Sequence, residues 1–169
     1  MARQLPRIRL VAFDIDGTLT DGTTWYAGEQ LGWVQRYSVR DGEACLRLGR
    51  RGLQVAVLSR NKTQSARRRM ELLGIVTTWL GVPDKLAAFE EMIGSCNIVS
   101  EEVCFIGDGR EDAPILAHVG VGLAVADAHP DARAAADHVL SVPGGGHAME
   151  RAELFLEAIG RIPAVPDTL

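Results

Sequence analysis

The sequence predicts an α/β fold, a doubly wound parallel sheet with helices on both faces. Three observations predict it. Short apolar runs recur along the chain, and they are nearly continuous instead of alternating, so both faces of each strand must be covered. Stretches with helical start and stop signals separate these runs. Acidic and small polar residues follow the runs, at the edge where an open α/β sheet binds its ligands.

The predicted strands are Ile8–Phe13, Leu53–Leu58, Val103–Ile106 and Val119–Val125, with a weaker one at Val76–Leu80. A first helix is expected over Asp41–Arg51, carrying Ala44, Leu46 and Leu48. A second runs over Asn61–Leu73, with Asn61 as N-cap, Gln64 at the capping-box spacing and Gly74 as C′ residue. A third, Pro83–Ile93, opens on a proline suited to a first helical turn and stops near Gly94. Glu111–His118 and Ala148–Ile159 complete the set. One segment breaks the alternation. Thr23–Val39 holds four of the nine aromatic residues, Trp25, Tyr26, Trp33 and Tyr37, around Gly28-Glu29-Gln30. This is a hairpin signature. A projecting hairpin cannot bury that much aromatic surface alone. It must fold back or meet another subunit, and the second reading is favoured.

The chain of 169 residues reads as one domain: a core over about 7–160, a hairpin over 23–39 and a proline-containing loose tail over 161–169. Apolar residues make up 47% of it, and the formal net charge is −4 without a dense basic patch. Nucleic acid and anionic membrane surfaces are therefore poor partners. The arginines at 50–51 and 67–69 read as solvated helix faces. No apolar run approaches the ~20 residues of a membrane span, and Met1–Arg9 lacks the apolar stretch of a secretion signal. Cys45, Cys96 and Cys104 are odd in number and form no CxxC pair, which suits reduced thiols in the cytoplasm.

The chemistry is written at the strand ends. Asp14-Ile15-Asp16-Gly17-Thr18 follows the first strand. Asp14 and Asp16, two residues apart, present their carboxylates together. Such a pair must share a proton or meet a cation. Ser59 ends the second long strand, where a helix N-terminus would complete an oxyanion site. Lys85 lies in the first turn of a helix, where a cation opposes the macrodipole at a cost of roughly 0.3–1 kcal/mol, and so calls for an anionic partner. Asp108 of Gly107-Asp108-Gly109 ends another strand, and Asp112 follows within reach of Lys85. Oxygen ligands of this type favour Mg²⁺. Each element alone has a bland reading as a turn or cap; four converging on one sheet edge make a site.

The ordered set DxDGT, Ser, Lys and GDxxxD resembles that of the haloacid dehalogenase superfamily of phosphohydrolases, over roughly Arg7 to Gly160. DIDGTLTDG at 14–22, VRDG at 39–42, DKLAAFEEM at 84–92 and AVADAHP at 124–130 resemble the 3-deoxy-D-manno-octulosonate 8-phosphate (KDO 8-phosphate) phosphatase group. The resemblance implies that Asp14 attacks phosphorus and that Asp16 acts as acid and then base. Mg²⁺ would sit between the Asp14 carboxylate, the Asp16 carbonyl and Asp108. Ser59 and Lys85 would bind the phosphoryl group, and Asp112 would orient Lys85. It further implies a homotetramer assembled through the 23–39 hairpins. That agrees with the 42 residues between Asp16 and Ser59 and the 25 between Ser59 and Lys85, which leave no room for a large cap.

The chain departs from the group at several places. Where octulosonate phosphatases read TGRK, it has Ser59-Arg60-Asn61-Lys62, and a related nononate phosphatase pattern does not match either. Arg60 is a candidate substrate-binding residue. Arg69 matches an arginine of the group and is expected to face a substrate carboxylate from a neighbouring subunit. Gly144-Gly145-Gly146-His147 lacks the charged residue of the relatives' flap, and Gly109 stands where many have a second Asp. Two other classes remain in view. A receiver domain would carry its phosphorylated Asp after the third strand. A nonhydrolytic module regulating sugar-nucleotide synthesis would not need the complete acid set.

Overall fold

The computed structural model describes residues 6–163. In chain order the strands are β1 (Leu10–Phe13), β2 (Trp25–Tyr26), β3 (Trp33–Val34), β4 (Gln54–Ser59), β5 (Thr77–Leu80), β6 (Val103–Gly107), β7 (Val121–Ala124) and β8 (His138–Val139). Six of them form one sheet in the order β5-β4-β1-β6-β7-β8, parallel throughout. All four residues of β1 are buried, which explains their unbroken apolar character. β1 is central: Phe13 lies opposite Val57 of β4 and Ile106 of β6. The chain leaves β1 to one side first and crosses to the other later. The strand order therefore reverses at β1, and the crevice beyond its C-terminal end is where this architecture places a ligand.

The helices are α1 (Val39–Arg50), α2 (Gln64–Leu72), α3 (Lys85–Ser95), α4 (Ala113–Leu116), α5 (Pro130–Ala135) and α6 (Ala148–Ala158). α1 packs on α6, and α4 packs on both α3 and α5. Across the first seam Arg47 pairs with Glu153 (2.7 Å), and Arg51 with Glu153 (3.3 Å) and Glu157 (2.9 Å). Arg51 is thus buried, not on a solvated face as expected; its partners on α6 offset the desolvation. No helix among the described residues is long and apolar enough to cross a membrane.

Several boundaries moved for local reasons. Thr63, not Asn61, caps α2, its Oγ1 accepting from Ala66 N (3.2 Å), because the Asn61 carboxamide is engaged elsewhere. Asp84 caps α3 by accepting from Ala87 N (3.1 Å), so Pro83 lies ahead of the helix. The Glu111–His118 stretch is a 3₁₀ turn, Arg110–Asp112, continued by α4. α5 and β8 were not predicted: six residues and two carry too little periodicity to read.

The aromatic segment divides in two. β2 and β3 pair antiparallel, with the Tyr26 and Trp33 rings 5.6 Å apart. Trp25, Tyr26 and Trp33 are half exposed, at 50–56%. Past β3 the chain returns to the domain: Gln35 is buried, and Tyr37 packs on the core with the Arg69 guanidinium over its ring (5.8 Å). All three cysteines are free, and burial pushes the Cys45 thiol up to about 12 and the Cys104 thiol up as well, which makes both inert. Arg161 and Ile162 are buried, Arg161 donating to the Pro6 carbonyl (2.8 Å), so the chain is packed where a loose tail was expected to begin. The rest of that tail, from residue 164, lies outside the described residues.

Candidate active site

Asp14 leaves β1 in extended conformation, its N–H donating to the Ile106 carbonyl (3.1 Å). Its Oδ1 accepts from Ile15 N (2.7 Å) and its Oδ2 meets Lys85 Nζ (2.6 Å). The chain then turns at Gly17, whose φ of +79° suits glycine. A Cβ there would also fall on the Asp108 carboxylate. Thr18 Oγ1 donates to Asp108 Oδ1 (3.1 Å), tying this turn to the end of β6.

Lys85 begins α3 and is buried between two carboxylates, donating to Asp112 Oδ1 (2.8 Å) as well as Asp14. These partners offset the macrodipole penalty of its position. Asp112 is fully buried; its Oδ2 accepts from the N–H groups of Asp108 (3.1 Å) and Gly109 (2.9 Å). Gly107 allows this, since a Cβ there would stand 2.7 Å from the Asp112 carboxylate. Ser59, also buried, ends β4; its hydroxyl accepts from Asn61 N (3.2 Å), and the residue lines the same cleft as Asp14. The expected helix N-terminus at Ser59 is absent: residues 60–63 intervene before α2, so Ser59 supplies a hydroxyl only.

The charges do not balance. Asp14, Asp108 and Asp112 offer carboxylate oxygens within 4.8 Å of one another, against one ammonium. Burial, with repulsion from Asp112, raises Asp14 to about 6 despite Lys85. Burial, then Asp14 and Asp112, raises Asp108 to about 7. Burial opposes the Lys85 charge, but the two carboxylates outweigh it and raise that group.

An open cleft of about 360 Å³ gathers Asp14, Asp16, Ser59, Arg60, Lys85 and Asp108, with Asp112 buried behind. Exposed Arg60 pairs with Glu111 at the rim, beside Arg110. Arg69 is not brought there. Its Nη2 donates to the Ser38 carbonyl (3.2 Å), and it stacks on Tyr37 within its own chain. Sequence reasoning missed two buried neighbours of Asp16: Gln35 and Asn61, which donates to it at 3.0 and 3.1 Å. The glycine segment proves to be a packed clasp. Gly145 N donates to the Thr18 carbonyl (3.0 Å), and Gly144 lies so close to the Gly17 and Thr20 carbonyls that no Cβ fits.

Comparison with known proteins agrees with this geometry. Residues 80–143, which hold Lys85, Asp108 and Asp112, match the haloacid dehalogenase-like hydrolase model. The 3-deoxy-D-manno-octulosonate 8-phosphate phosphatase of Salmonella typhi is 35% identical over 156 residues, 92% of this chain and 82% of that protein. The chain belongs to the haloacid dehalogenase-like hydrolases. The cobalt-bound deoxy-D-mannose-octulosonate 8-phosphate phosphatase of Haemophilus influenzae superposes on this hydrolase with a TM-score of 0.84 at 36% identity, covering 94% of this chain and 92% of the other. The Moraxella catarrhalis enzyme, in complex with magnesium, phosphate and KDO, gives 0.83 at 30% identity, covering 89% and 87%. These relatives make the hydrolase a phosphoric monoester hydrolase.

The residues present fit a divalent cation. Asp14 and Asp108 line the cleft, whereas Asp112 is fully buried behind it, so Asp14 and Asp108 are the carboxylates placed to face an ion there. A hard cation preferring oxygen suits them.

Proposed function

We propose that this hydrolase cleaves a phosphate monoester of a 3-deoxy-2-keto sugar acid, KDO 8-phosphate foremost, through an aspartyl-phosphate on Asp14. The observation that supports this most is the placement of Asp14. It lies at the floor of an open cleft between Lys85 and Ser59, with Asp16 on the same cleft.

In this reading the Asp14 carboxylate forms a bond to phosphorus while the bond from phosphorus to the ester oxygen breaks. Asp16 gives its proton to the departing alkoxide, which leaves as the alcohol. Water then attacks phosphorus, Asp16 takes the water's proton, and the bond to Asp14 breaks to release phosphate. Lys85 spends two N–H groups on Asp14 and Asp112 and keeps its third for a phosphoryl oxygen. Ser59 donates to another, and Asp112 fixes Lys85. Arg60 at the rim is suited to the acidic end of the substrate. Mg²⁺ held by Asp14, Asp108 and the Asp16 carbonyl would supply positive charge that screens the nucleophile from the phosphoryl oxygens.

The whole chain functions as one catalytic domain, and the cytoplasm suits its free thiols. The exposed Trp25, Tyr26 and Trp33 join subunits into a homotetramer. Light scattering tests this: Trp33→Ser should lower the assembled mass, and a monomeric parent protein would overturn it. Asn61 stands where octulosonate phosphatases carry arginine and does not match the nononate pattern either, which is the ground for a second reading: the phosphate of a nine-carbon keto sugar acid or another small ester.

The deciding experiment measures phosphate release from p-nitrophenyl phosphate and a panel of sugar phosphates, with and without Mg²⁺. Mg²⁺-dependent release is expected, fastest from KDO 8-phosphate, and Asp14→Asn should reduce it by about a thousandfold or more. No release from any ester, or full activity in Asp14→Asn, would refute the proposal. Faster release from the nine-carbon acid would select the second reading.

A further inference from the structure

Asp16 is held by a hydrogen-bond network whose direction can be assigned without ambiguity. The Thr63 backbone N–H can only donate, and it donates to Asn61 Oδ1 (2.8 Å). That fixes the Asn61 carboxamide, so its Nδ2 faces the other way, 3.0 and 3.1 Å from the Asp16 carboxylate oxygens and 2.8 Å from Gln35 Oε1. Gln35 Oε1 therefore accepts, from Asn61 and from the Tyr37 hydroxyl (3.1 Å), and its Nε2 is left to donate to Asp16 Oδ1. Gln35 and Asn61 are each only 8% exposed. Two buried neutral amides thus grip one carboxylate from two separate elements. One is the loop after β4 and the other is the chain returning from β3.

Resting on the phosphatase reading above, we propose that Gln35 and Asn61 are positioning residues that hold the Asp16 carboxylate in line with the ester's leaving oxygen. Neither side chain hydrogen-bonds to Asp14, Ser59, Lys85, Asp108 or Asp112, and the Asn61 backbone N–H that donates to Ser59 Oγ (3.2 Å) survives a change of side chain, so the effect of the two amides on catalysis runs through Asp16. Proton transfer requires hydrogen-bond reach to the oxygen being protonated. A carboxylate free to rotate meets that geometry only part of the time. Gln35 comes from the hairpin's return leg, and the Tyr37 that steadies it is stacked under Arg69. Arg69 therefore supports the site from a distance.

The test exploits leaving groups. KDO 8-phosphate releases a primary alkoxide that needs a proton as its bond breaks, whereas p-nitrophenolate leaves without one. Gln35→Met keeps the side chain's bulk and removes the amide. Asn61→Asp keeps the acceptor for Thr63 and removes the donor to Asp16. Each variant should lose at least about tenfold in kcat/KM on KDO 8-phosphate, or on the sugar phosphate turned over fastest, and less than about threefold on p-nitrophenyl phosphate. Gln35→Asn should recover part of the loss. Equal losses on both esters would mark a general structural role and overturn the proposal, as would no loss on either. A parent protein inactive on every ester would instead refute the phosphatase reading itself.

Discussion

Removing the one cation from the buried acid cluster should cost this fold heavily. Lys85→Met keeps most of the side chain's length and deletes its charge. Lys85, Asp14 and Asp112 have side-chain exposures of 5, 9 and 0%, and the ammonium lies 2.6 and 2.8 Å from its two partners. The variant leaves two carboxylate oxygens without their donor where water scarcely reaches. Breaking a buried pair from one side costs about 3–5 kcal/mol. For a chain of this length that is a fall in Tm of about 6–20 °C. The assay is thermal melting followed by circular dichroism in EDTA at pH 7.5, repeated at pH 5 and with Mg²⁺. The sign with pH follows from the raised carboxyl groups. Without the lysine, Asp14 should titrate above the value of about 6 it has beside it, well over its unfolded value. A group raised on folding stabilises fully below its unfolded pKa, and that stability is lost as pH rises through the folded one. The deficit should therefore shrink at pH 5 and grow at pH 7.5, and Mg²⁺ should restore part of it. A variant melting within about 2 °C of the parent at both pH values, or a deficit that deepens on acidification, would refute the account.

Two further perturbations probe other parts of the frame. Gly17→Ala forces a side chain into a left-handed turn, at about 1–2 kcal/mol, and drives its methyl group into the Asp108 carboxylate. It should melt roughly 2–8 °C lower and lose most of its Mg²⁺ response, read by melting with and without the ion. Asp41 is fully buried; its Oδ1 caps α6 by accepting from Met149 N (2.9 Å) and Glu150 N (3.3 Å), while its Oδ2 has no partner. Burial raises this carboxyl, so its ionisation lowers stability as pH climbs above the usual carboxylate range. Urea titrations between pH 4 and 8 should show a flatter pH dependence in Asp41→Asn than in the parent protein; superimposable curves would disprove it.

How much of this was legible in the sequence depended on how local each signal was. The parallel strands and the gathering of Asp14, Lys85, Asp108 and Asp112 at one sheet edge followed from short-range rules: apolar runs, strand ends and a cation out of place at a helix start. Asn61 misled because asparagine before a helix is also a capping signal. Thr63 carries the same capping chemistry two residues later, and the demand from Asp16 across the cleft decided between them. Gln35 gave no signal at all, being one neutral residue in an aromatic stretch whose path back to the domain is set by Tyr37 and Arg69. Arg69 was assigned outward on a matching position alone; it turns inward because the Ser38 carbonyl and the Tyr37 ring lie within its reach.

The glycine clasp at residues 144 and 145 has a temporal meaning. The turn that follows Asp14 closes against backbone synthesised some 125 residues after it. A nascent chain already holding every reactive side chain would still lack the strap beneath its reactive turn. Competence as a catalyst should thus arrive late in translation, long after the acids themselves have been made.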